Sequence, residues 1–186
     1  MNPIARTAAS RPPAAVVIPT KDRAGLLDRT IRSLRNQTLR DFEVVIVDDG
    51  STDATPKVIA RHADEDPRIR GVRHPRSRGA PAARNHGARE ARAPLLSFCD
   101  DDVVWRPNKL ERELEHFETD PTLDVVYCIT TIRELNGESV DFGAPVAPGK
   151  TPLEALLRRN LMAMPAPLVR AEIFREAGGF DEDLPR

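Results

Sequence analysis

The stretch Phe42-Glu43-Val44-Val45-Ile46-Val47-Asp48-Asp49 decides the fold, because a β-branched apolar run stops abruptly at two carboxylates. Two further apolar runs, Ala14 to Pro19 and Pro94 to Cys99, also end in polar residues. The first is followed by Thr20-Lys21-Asp22-Arg23 and the second by Asp100-Asp101-Asp102. Short apolar runs without polar alternation are typical of strands that are buried on both faces of a sheet. The pattern therefore predicts a buried sheet with polar residues at the ends of its strands.

Helical patterns separate these strands. Apolar residues recur at helical spacing between Gly25 and Gln37, and the segment from Gly79 to Ala91 is rich in alanine. Weaker strand patterns are present at Ile69 to Val72 and at Val125 to Ile132. Strands and helices that alternate in this way are joined by right-handed crossovers. We therefore expect an α/β fold, a Rossmann-like and mostly parallel sheet with helices on both faces.

The chain divides into three parts by composition. Residues 1–13 are polar and contain prolines without the apolar core of a signal peptide, which predicts a disordered arm. Residues 14–136 carry the strand and helix patterns and are expected to form the α/β domain. Residues 137–186 have a looser pattern, with three prolines and two glycines between Gly143 and Pro152. They are expected to be the start of a further region that is incomplete in this chain.

The overall composition excludes several classes of partner. The net charge of the 186 residues is −1, so the chain lacks the basic field that would recruit nucleic acid or an anionic membrane. Aromatic residues make up only 4% of the chain, which argues against a platform of rings that stack on bases. No stretch approaches the roughly 18 apolar residues of a membrane span. We expect a cytoplasmic protein.

The triple aspartate is the first candidate site, because ligands of open parallel sheets bind outside the carboxyl ends of the strands. Asp100 and Asp102, two positions apart, point the same way if the strand geometry continues. Carboxylates this close repel one another, and a divalent cation removes that cost. Their hard oxygens suit Mn²⁺ or Mg²⁺, which could also bridge the phosphates of a nucleotide. A solvated acidic turn or a helix cap is the structural alternative.

Two other segments could take part in the same site. Asp48 and Asp49 follow a buried strand and could accept a hydrogen bond from a base or a ribose, or simply form a turn and cap the next helix. Arg84, within the alanine-rich helix, could reach the oxygens of a diphosphate. His86 on the same helix is interpreted as a structural or exposed histidine rather than a catalytic base.

Taken together, these segments resemble glycosyltransferase family 2, the inverting glycosyltransferases with a GT-A fold. The matching pieces follow the family's order and spacing from about residue 14 to residue 182. They are Val17 to Thr20, Ser33 to Thr38, Glu43 to Asp53, Gly79 with Ala83 to Gly87, Phe98 to Asp102, and Gly178 to Glu182.

The resemblance implies a role for each matching residue. Thr20 would lie beside the nucleotide, Asp49 would pair with the edge of a uracil-like base, and Asp48 would lie near it. Arg84 would lie near the diphosphate. Asp100 and Asp102 would be the metal-binding carboxylates of the DxD-type motif, and Asp101 would approach the ribose or the donor sugar. Residues 14–136 would then be the nucleotide-sugar-binding domain, and residues 137–186 the start of the acceptor-side region.

The chain departs from the family pattern at its end. Family members usually continue into a second acidic motif that carries the general base, and inversion requires a base on the face opposite the leaving nucleotide. Here only a few residues follow Glu182. The catalytic base is therefore expected in a segment that this chain does not contain, with Asp181, Glu182 and Asp183 as the alternative candidates.

The sequence thus predicts metal-assisted transfer of a sugar, with inversion, from a UDP- or dTDP-sugar to the hydroxyl of an unspecified acceptor: a glycan, lipid carrier, protein or small metabolite. One alternative is a truncated or degenerate module that binds the nucleotide sugar without turnover. A nucleotidyltransferase is disfavoured, because Pro19 to Arg23 lacks the glycine-rich loop that such an enzyme carries after its first strand.

Overall fold

The computed structural model describes residues 11–133, 137–148 and 150–184. Most of the predicted disordered arm, residues 1–10, lies outside the described residues. The elements in chain order are β1 (Ala14–Thr20), α1 (Ala24–Arg35), β2 (Glu43–Asp48), α2 (Thr55–Glu65), β3 (Ile69–Arg73), α3 (Ala80–Glu90), β4 (Leu95–Phe98), α4 (Lys109–Thr119), β5 (Val125–Val126), β6 (Thr130–Arg133), β7 (Ser139–Phe142), α5 (Pro152–Leu156), β8 (Leu168–Arg170) and α6 (Ala171–Glu176).

A six-stranded sheet with the order β3-β2-β1-β4-β8-β5 organises the fold. The pairs β1–β2, β2–β3 and β1–β4 are parallel, whereas β8 runs antiparallel to both β4 and β5. The chain progresses outward from β1 to β3 on one side and then crosses to β4 on the other. The order therefore reverses between β1 and β4, which is where sheets of this kind open a ligand crevice. The predicted mostly parallel α/β sheet is confirmed.

Each central strand is buried on both faces, because alternate side chains pack against different helices. On one face, residues such as Val16, Ile18 and Ile46 pack against Leu27 and Ile31 of α1, with α2 and α4 beside them. On the other face, Val17, Val45 and Val47 pack against α3 and α6. This two-sided burial is the physical reason why the strands show continuous apolar runs rather than alternation.

Gly87 lets α3 lie directly on the sheet. A Cβ at this position would overlap Val17 Cγ1 and lie 3.1 Å from Val47 Cγ2, both on stiff β-branched side chains in the core. We expect Gly87→Ala to lower the free energy of unfolding by about 1 to 3 kcal/mol, since the clash outweighs the higher helix propensity of alanine. Urea denaturation measures the change.

Gly25→Ala is the matched control, because a Cβ on this helical glycine meets nothing within 4 Å. It should leave stability unchanged or raise it by at most about 1 kcal/mol. Equal stabilities for the two variants would contradict the close packing of α3 on the sheet.

The second half of the chain departs from the sequence prediction. The strand expected at Val125 to Ile132 is split: β5 joins the edge of the main sheet, and β6 forms a separate two-stranded sheet with β7. Strand β8, which the sequence analysis did not identify, inserts between β4 and β5. The main sheet therefore crosses the boundary predicted between residues 136 and 137. Among the described residues, none of the helices has the length and apolar character that crossing a lipid bilayer requires.

Candidate functional site

A cleft of about 470 Å³ opens at the carboxyl ends of β1 and β4, beside the first turn of α3. It lies at the point where the strand order reverses. Seven residues were predicted from the sequence to bind the nucleotide or the metal, and all of them except Asp48 line this cleft: Thr20, Asp49, Arg84, Asp100, Asp101 and Asp102. Lys21 and Arg23 line it as well. Strand β4 ends at Phe98, so the triple aspartate forms a turn rather than a continued strand.

Asp101 is the inward-facing member of the triple aspartate, and its side chain is only 5% exposed. Thr20 Oγ1 donates to Asp101 Oδ2 at 2.7 Å, and Arg23 Nη1 donates to Oδ1 at the same distance. The buried Thr30 hydroxyl donates to the Asp101 carbonyl at 2.9 Å. Both carboxylate oxygens of Asp101 are thus bound within the protein, and a ribose hydroxyl would add to or replace one of these bonds.

Asp100 and Asp102 face the cleft, with side chains 33% and 42% exposed. Arg84 Nη2 donates to Asp100 Oδ1 at 2.6 Å, and Arg23 Nη1 lies 3.1 Å from Asp102 Oδ2. Each aspartate keeps one carboxylate oxygen for which the described residues show no such bond. In the described ranges, no three His, Cys, Asp or Glu side chains group as a protein-only metal site. Two carboxylates still fit Mg²⁺ or Mn²⁺, because such ions complete their coordination with phosphate oxygens and water.

Asp49 holds the loop that leads into α3. Its Oδ1 accepts from His74 Nδ1 at 2.7 Å and from the Arg78 amide at 2.8 Å, and its Oδ2 accepts from Ser77 Oγ at 2.6 Å and from the Gly79 amide at 2.9 Å. Burial alone would raise the pKa of Asp49, but these hydrogen bonds outweigh it and lower the pKa. Four donors use the full accepting capacity of a carboxylate. A base N–H that binds here must replace one of them.

Asp48 is buried behind the cleft and does not belong to its lining. Its Oδ1 accepts from the Ser51 amide at 2.8 Å, which closes the turn after β2. Its Oδ2 has no hydrogen-bond partner and lies 3.5 Å from Arg73 Nε. The geometry supports the turn-forming interpretation of Asp48 more directly than contact with a nucleotide.

Two histidines connect Asp49 to the surface. His74 Nε2 lies 2.8 Å from His86 Nδ1, and the two rings are nearly parallel, with 4° between their planes. Because His74 Nδ1 lies against a carboxylate, it carries the proton of that hydrogen bond. Burial and the neighbouring His74 lower the pKa of His86. His86 thus contacts Asp49 only through His74, and its structural role stays a prediction.

The acidic segment that follows Phe180 lies on the far side of Asn85 and outside the lining of the cleft. Glu182 accepts from Asn85 Nδ2 at 3.0 Å and from Arg78 Nη2 at 3.2 Å. Asp181 accepts from the Asp183 amide at 2.9 Å. The contacts of Asp181 and Glu182 stabilise local structure, and the assignment of a catalytic base among these three residues stays a prediction.

Arg23 is a functional candidate that the sequence analysis did not single out. Its position in the polar segment after β1 was the available signal, but its two carboxylate partners lie 78 and 79 residues away along the chain. Arg84 was predicted to be a site residue, but its ion pair with Asp100 was not predicted.

Comparison with solved structures relates this cleft to a known fold. The mannosyltransferase PcManGT from Pyrobaculum calidifontis, in complex with GDP-Man and Mn²⁺, has a TM-score of 0.71 at 24% identity, over 95% of this chain and 49% of that one. S. aureus TarS 1-349 in complex with UDP has a TM-score of 0.72 at 23% identity, over 92% of this chain and 51% of that one. At this identity the likeness shows the fold, which is the GT-A fold.

Sequence comparison identifies the family. A model described as Glycosyl transferase family 2 matches residues 15–161. An uncharacterized glycosyltransferase of Haemophilus influenzae is 29% identical over 171 residues, which are 91% of this chain and 57% of the relative. The validoxylamine A glucosyltransferase of Streptomyces hygroscopicus subsp. jinggangensis is 46% identical over 106 residues, which are 55% of this chain and 25% of the relative. The chain thus spans less than two thirds of either relative. Because the family match covers most of its length, this chain belongs to glycosyl transferase family 2.

Proposed function

We propose that this chain binds the nucleoside diphosphate of a sugar donor together with Mn²⁺ or Mg²⁺, and that the protein transfers the sugar to an acceptor hydroxyl with inversion. One observation carries the proposal. The exposed carboxylates of Asp100 and Asp102 share a cleft with Arg84 and Lys21, at the carboxyl ends of β1 and β4. Carboxylates and cations that alternate around one cleft suit a ligand that brings both phosphate groups and a metal ion.

Asp100 and Asp102 would hold the cation in this proposal. When bound, a divalent cation supplies positive charge that stabilises the departing diphosphate. Asp101 would not bind the cation, because both of its carboxylate oxygens already accept hydrogen bonds from Thr20 and Arg23. Support comes from the PcManGT complex, which contains both GDP-Man and Mn²⁺.

Arg84 would bind the diphosphate. Its guanidinium lines the cleft and uses one nitrogen, Nη2, for Asp100, so further N–H donors of the same group can bind a phosphate oxygen without breaking the existing ion pair. Thr20 and Asp49 would lie beside the nucleotide, with Asp49 acting chiefly through the loop that it holds. We propose a UDP- or dTDP-sugar as the donor, and complexes of TarS with UDP and with UDP-GlcNAc support the uridine nucleotide.

Inversion needs a base opposite the leaving nucleotide, and Asp181, Glu182, Asp183 or a residue beyond this chain remain the predicted candidates. One relative is named as a validoxylamine A glucosyltransferase and another as a chondroitin synthase, so the names of the relatives do not point to a single acceptor. The acceptor and a cytoplasmic location stay predictions.

Calorimetric titration with UDP, dTDP, GDP and ADP, each in Mn²⁺ and in EDTA, tests the proposal. We expect UDP or dTDP to bind at least about tenfold tighter in Mn²⁺, a difference of about 1.4 kcal/mol. Binding that is equal in EDTA, or no binding of any nucleoside diphosphate, would sink the proposal. Metal-dependent binding without release of UDP from any UDP-sugar would favour the binding-only module.

A further inference from the structure

Arg23 lies between two carboxylates of the triple aspartate. One nitrogen, Nη1, is 2.7 Å from Asp101 Oδ1 and 3.1 Å from Asp102 Oδ2. The guanidinium therefore neutralises the same carboxylate, Asp102, that the proposed function assigns to the divalent cation. No other side-chain cation of the described residues bonds to the Asp102 carboxylate.

The backbone on either side of Arg23 is fastened to the loop after β2. Asp22 has a left-handed backbone, with φ 53°, which is uncommon for a residue other than glycine. Its Oδ1 accepts from the Thr52 amide at 2.6 Å and from the Asp53 amide at 3.3 Å. On the other side, the Ala24 amide donates to Asp53 Oδ2 at 3.2 Å. These hydrogen bonds fix the backbone on both sides of Arg23 and so place its side chain beside the carboxylates.

We propose, on the basis of the proposed function, that Arg23 is an internal counter-ion that competes with the divalent cation for Asp102. In the absence of a ligand, Arg23 relieves the repulsion between the clustered carboxylates. A divalent cation on Asp102 repels the guanidinium at close range, so the two do not bind the Asp102 carboxylate at the same time. Because Asp101 also binds Arg23, the side chain can release Asp102 and remain attached to the site.

The competition makes metal binding depend on the nucleotide. Arg23 lines the same cleft as Arg84 and Lys21, so the phosphates of a bound nucleotide offer the displaced guanidinium a new anionic partner. The metal alone then binds weakly, and metal and nucleotide bind together more tightly than either alone. Because both ligands favour the state in which Arg23 has left Asp102, each of them raises the affinity of the protein for the other.

Titration of the nucleotide-free protein with Mn²⁺, followed by the electron paramagnetic resonance signal of the free ion, tests this inference. Arg23→Gln should tighten Mn²⁺ binding by about tenfold, as expected if Arg23 occupies Asp102 about nine-tenths of the time. Arg23→Lys keeps the charge but loses the planar fork, so it should fall between the wild-type protein and Arg23→Gln. It also provides a folded variant if the glutamine variant is unstable.

Arg29→Gln is the matched control. Arg29 lies beside the same aspartate but donates to its backbone carbonyl at 3.3 Å, so the variant removes an equal charge without releasing a carboxylate. It should raise the Mn²⁺ affinity clearly less than Arg23→Gln does, because it removes only the repulsion through space and frees no carboxylate oxygen. An equal gain in Arg29→Gln and Arg23→Gln would overturn the inference in favour of a general charge effect.

A second measurement separates this inference from the proposed function. The ratio of Mn²⁺ affinities with and without UDP should be smaller in Arg23→Gln than in the wild-type protein. Unchanged Mn²⁺ affinity in both Arg23 variants, with Mn²⁺-dependent UDP binding intact in the wild type, would overturn the role of Arg23 alone. Absence of Mn²⁺-dependent UDP binding in the wild type would overturn the proposed function and this inference with it.

Discussion

Asp102→Asn is expected to remove the difference in UDP affinity between Mn²⁺ and EDTA. The substitution keeps the shape of the side chain and removes the charge that the cation requires. Loss of a residue that merely supports a metal ligand costs about 10- to 100-fold in metal affinity. Loss of a direct carboxylate ligand should therefore cost on the order of 100-fold in Mn²⁺ affinity. The gain in UDP affinity of about tenfold or more that Mn²⁺ gives the wild-type protein should then disappear, as measured by calorimetry.

The position of Asp102 separates this effect from a loss of folding. Its side chain is 42% exposed, so the variant should unfold within about 0.5 kcal/mol of the wild-type protein. Asp64→Asn, an exposed aspartate on α2, is the control and should bind UDP as the wild-type protein does. Retention of the Mn²⁺ effect in Asp102→Asn would show that the cation is held elsewhere.

Lys109→Met should produce the largest loss of stability. Lys109 Nζ donates to Glu113 Oε1 and Oε2 at 2.9 and 2.7 Å and to the Ala166 carbonyl at 3.2 Å. The two side chains are only 7% and 5% exposed. Removing the cation leaves Glu113 as an uncompensated buried charge, which typically costs about 3 to 5 kcal/mol. Urea denaturation at pH 8 measures this loss.

The pH dependence of this loss identifies its cause. Burial already raises the pKa of Glu113 above its ordinary value of 4.5, against the attraction of Lys109. Without Lys109 the pKa rises further, so the folded variant binds a proton that the unfolded chain releases. The contribution of protonated Glu113 is present at low pH and is lost as pH rises through the folded pKa. The loss of stability should therefore be smaller at pH 5 than at pH 8.

Two further variants serve as controls. Lys109→Met combined with Glu113→Leu removes both charges and should recover most of the stability, because a buried pair replaced by apolar side chains is often neutral. Arg32→Met breaks an ion pair of the same spacing with Asp28, but Arg32 is 64% exposed. It should cost less than about 1 kcal/mol. A pH-independent loss in Lys109→Met would instead indicate lost packing against Trp105, whose ring centroid lies 4.1 Å from the ammonium nitrogen.

Local sequence patterns predicted part of the geometry of the cleft. The placement of Thr20, Asp49 and Asp100 to Asp102 at one edge of the sheet followed from their positions after apolar runs, because parallel strands end at the same edge. Which of the three aspartates faces inward could not be predicted from the sequence. Asp101 faces inward because Thr20 and Arg23 bind it, and those partners are 81 and 78 residues distant along the chain.

The reversal of strand order at β1 is seen only in the folded sheet. The first four strands and the helices between them were predictable from local patterns, since burial on both faces requires continuous apolar runs. Strand β8 was not, because Leu168 to Arg170 is too short to show a period, and pairing with β4 and β5 alone makes it a strand. The same holds for Arg23. The i,i+4 spacing of Lys109 and Glu113 is visible in the sequence, but the burial of the pair beside Ala166 is not. Hydrogen bonds and charge pairs between distant segments leave no periodic trace in the chain, so these features become visible only when folding brings their partners together.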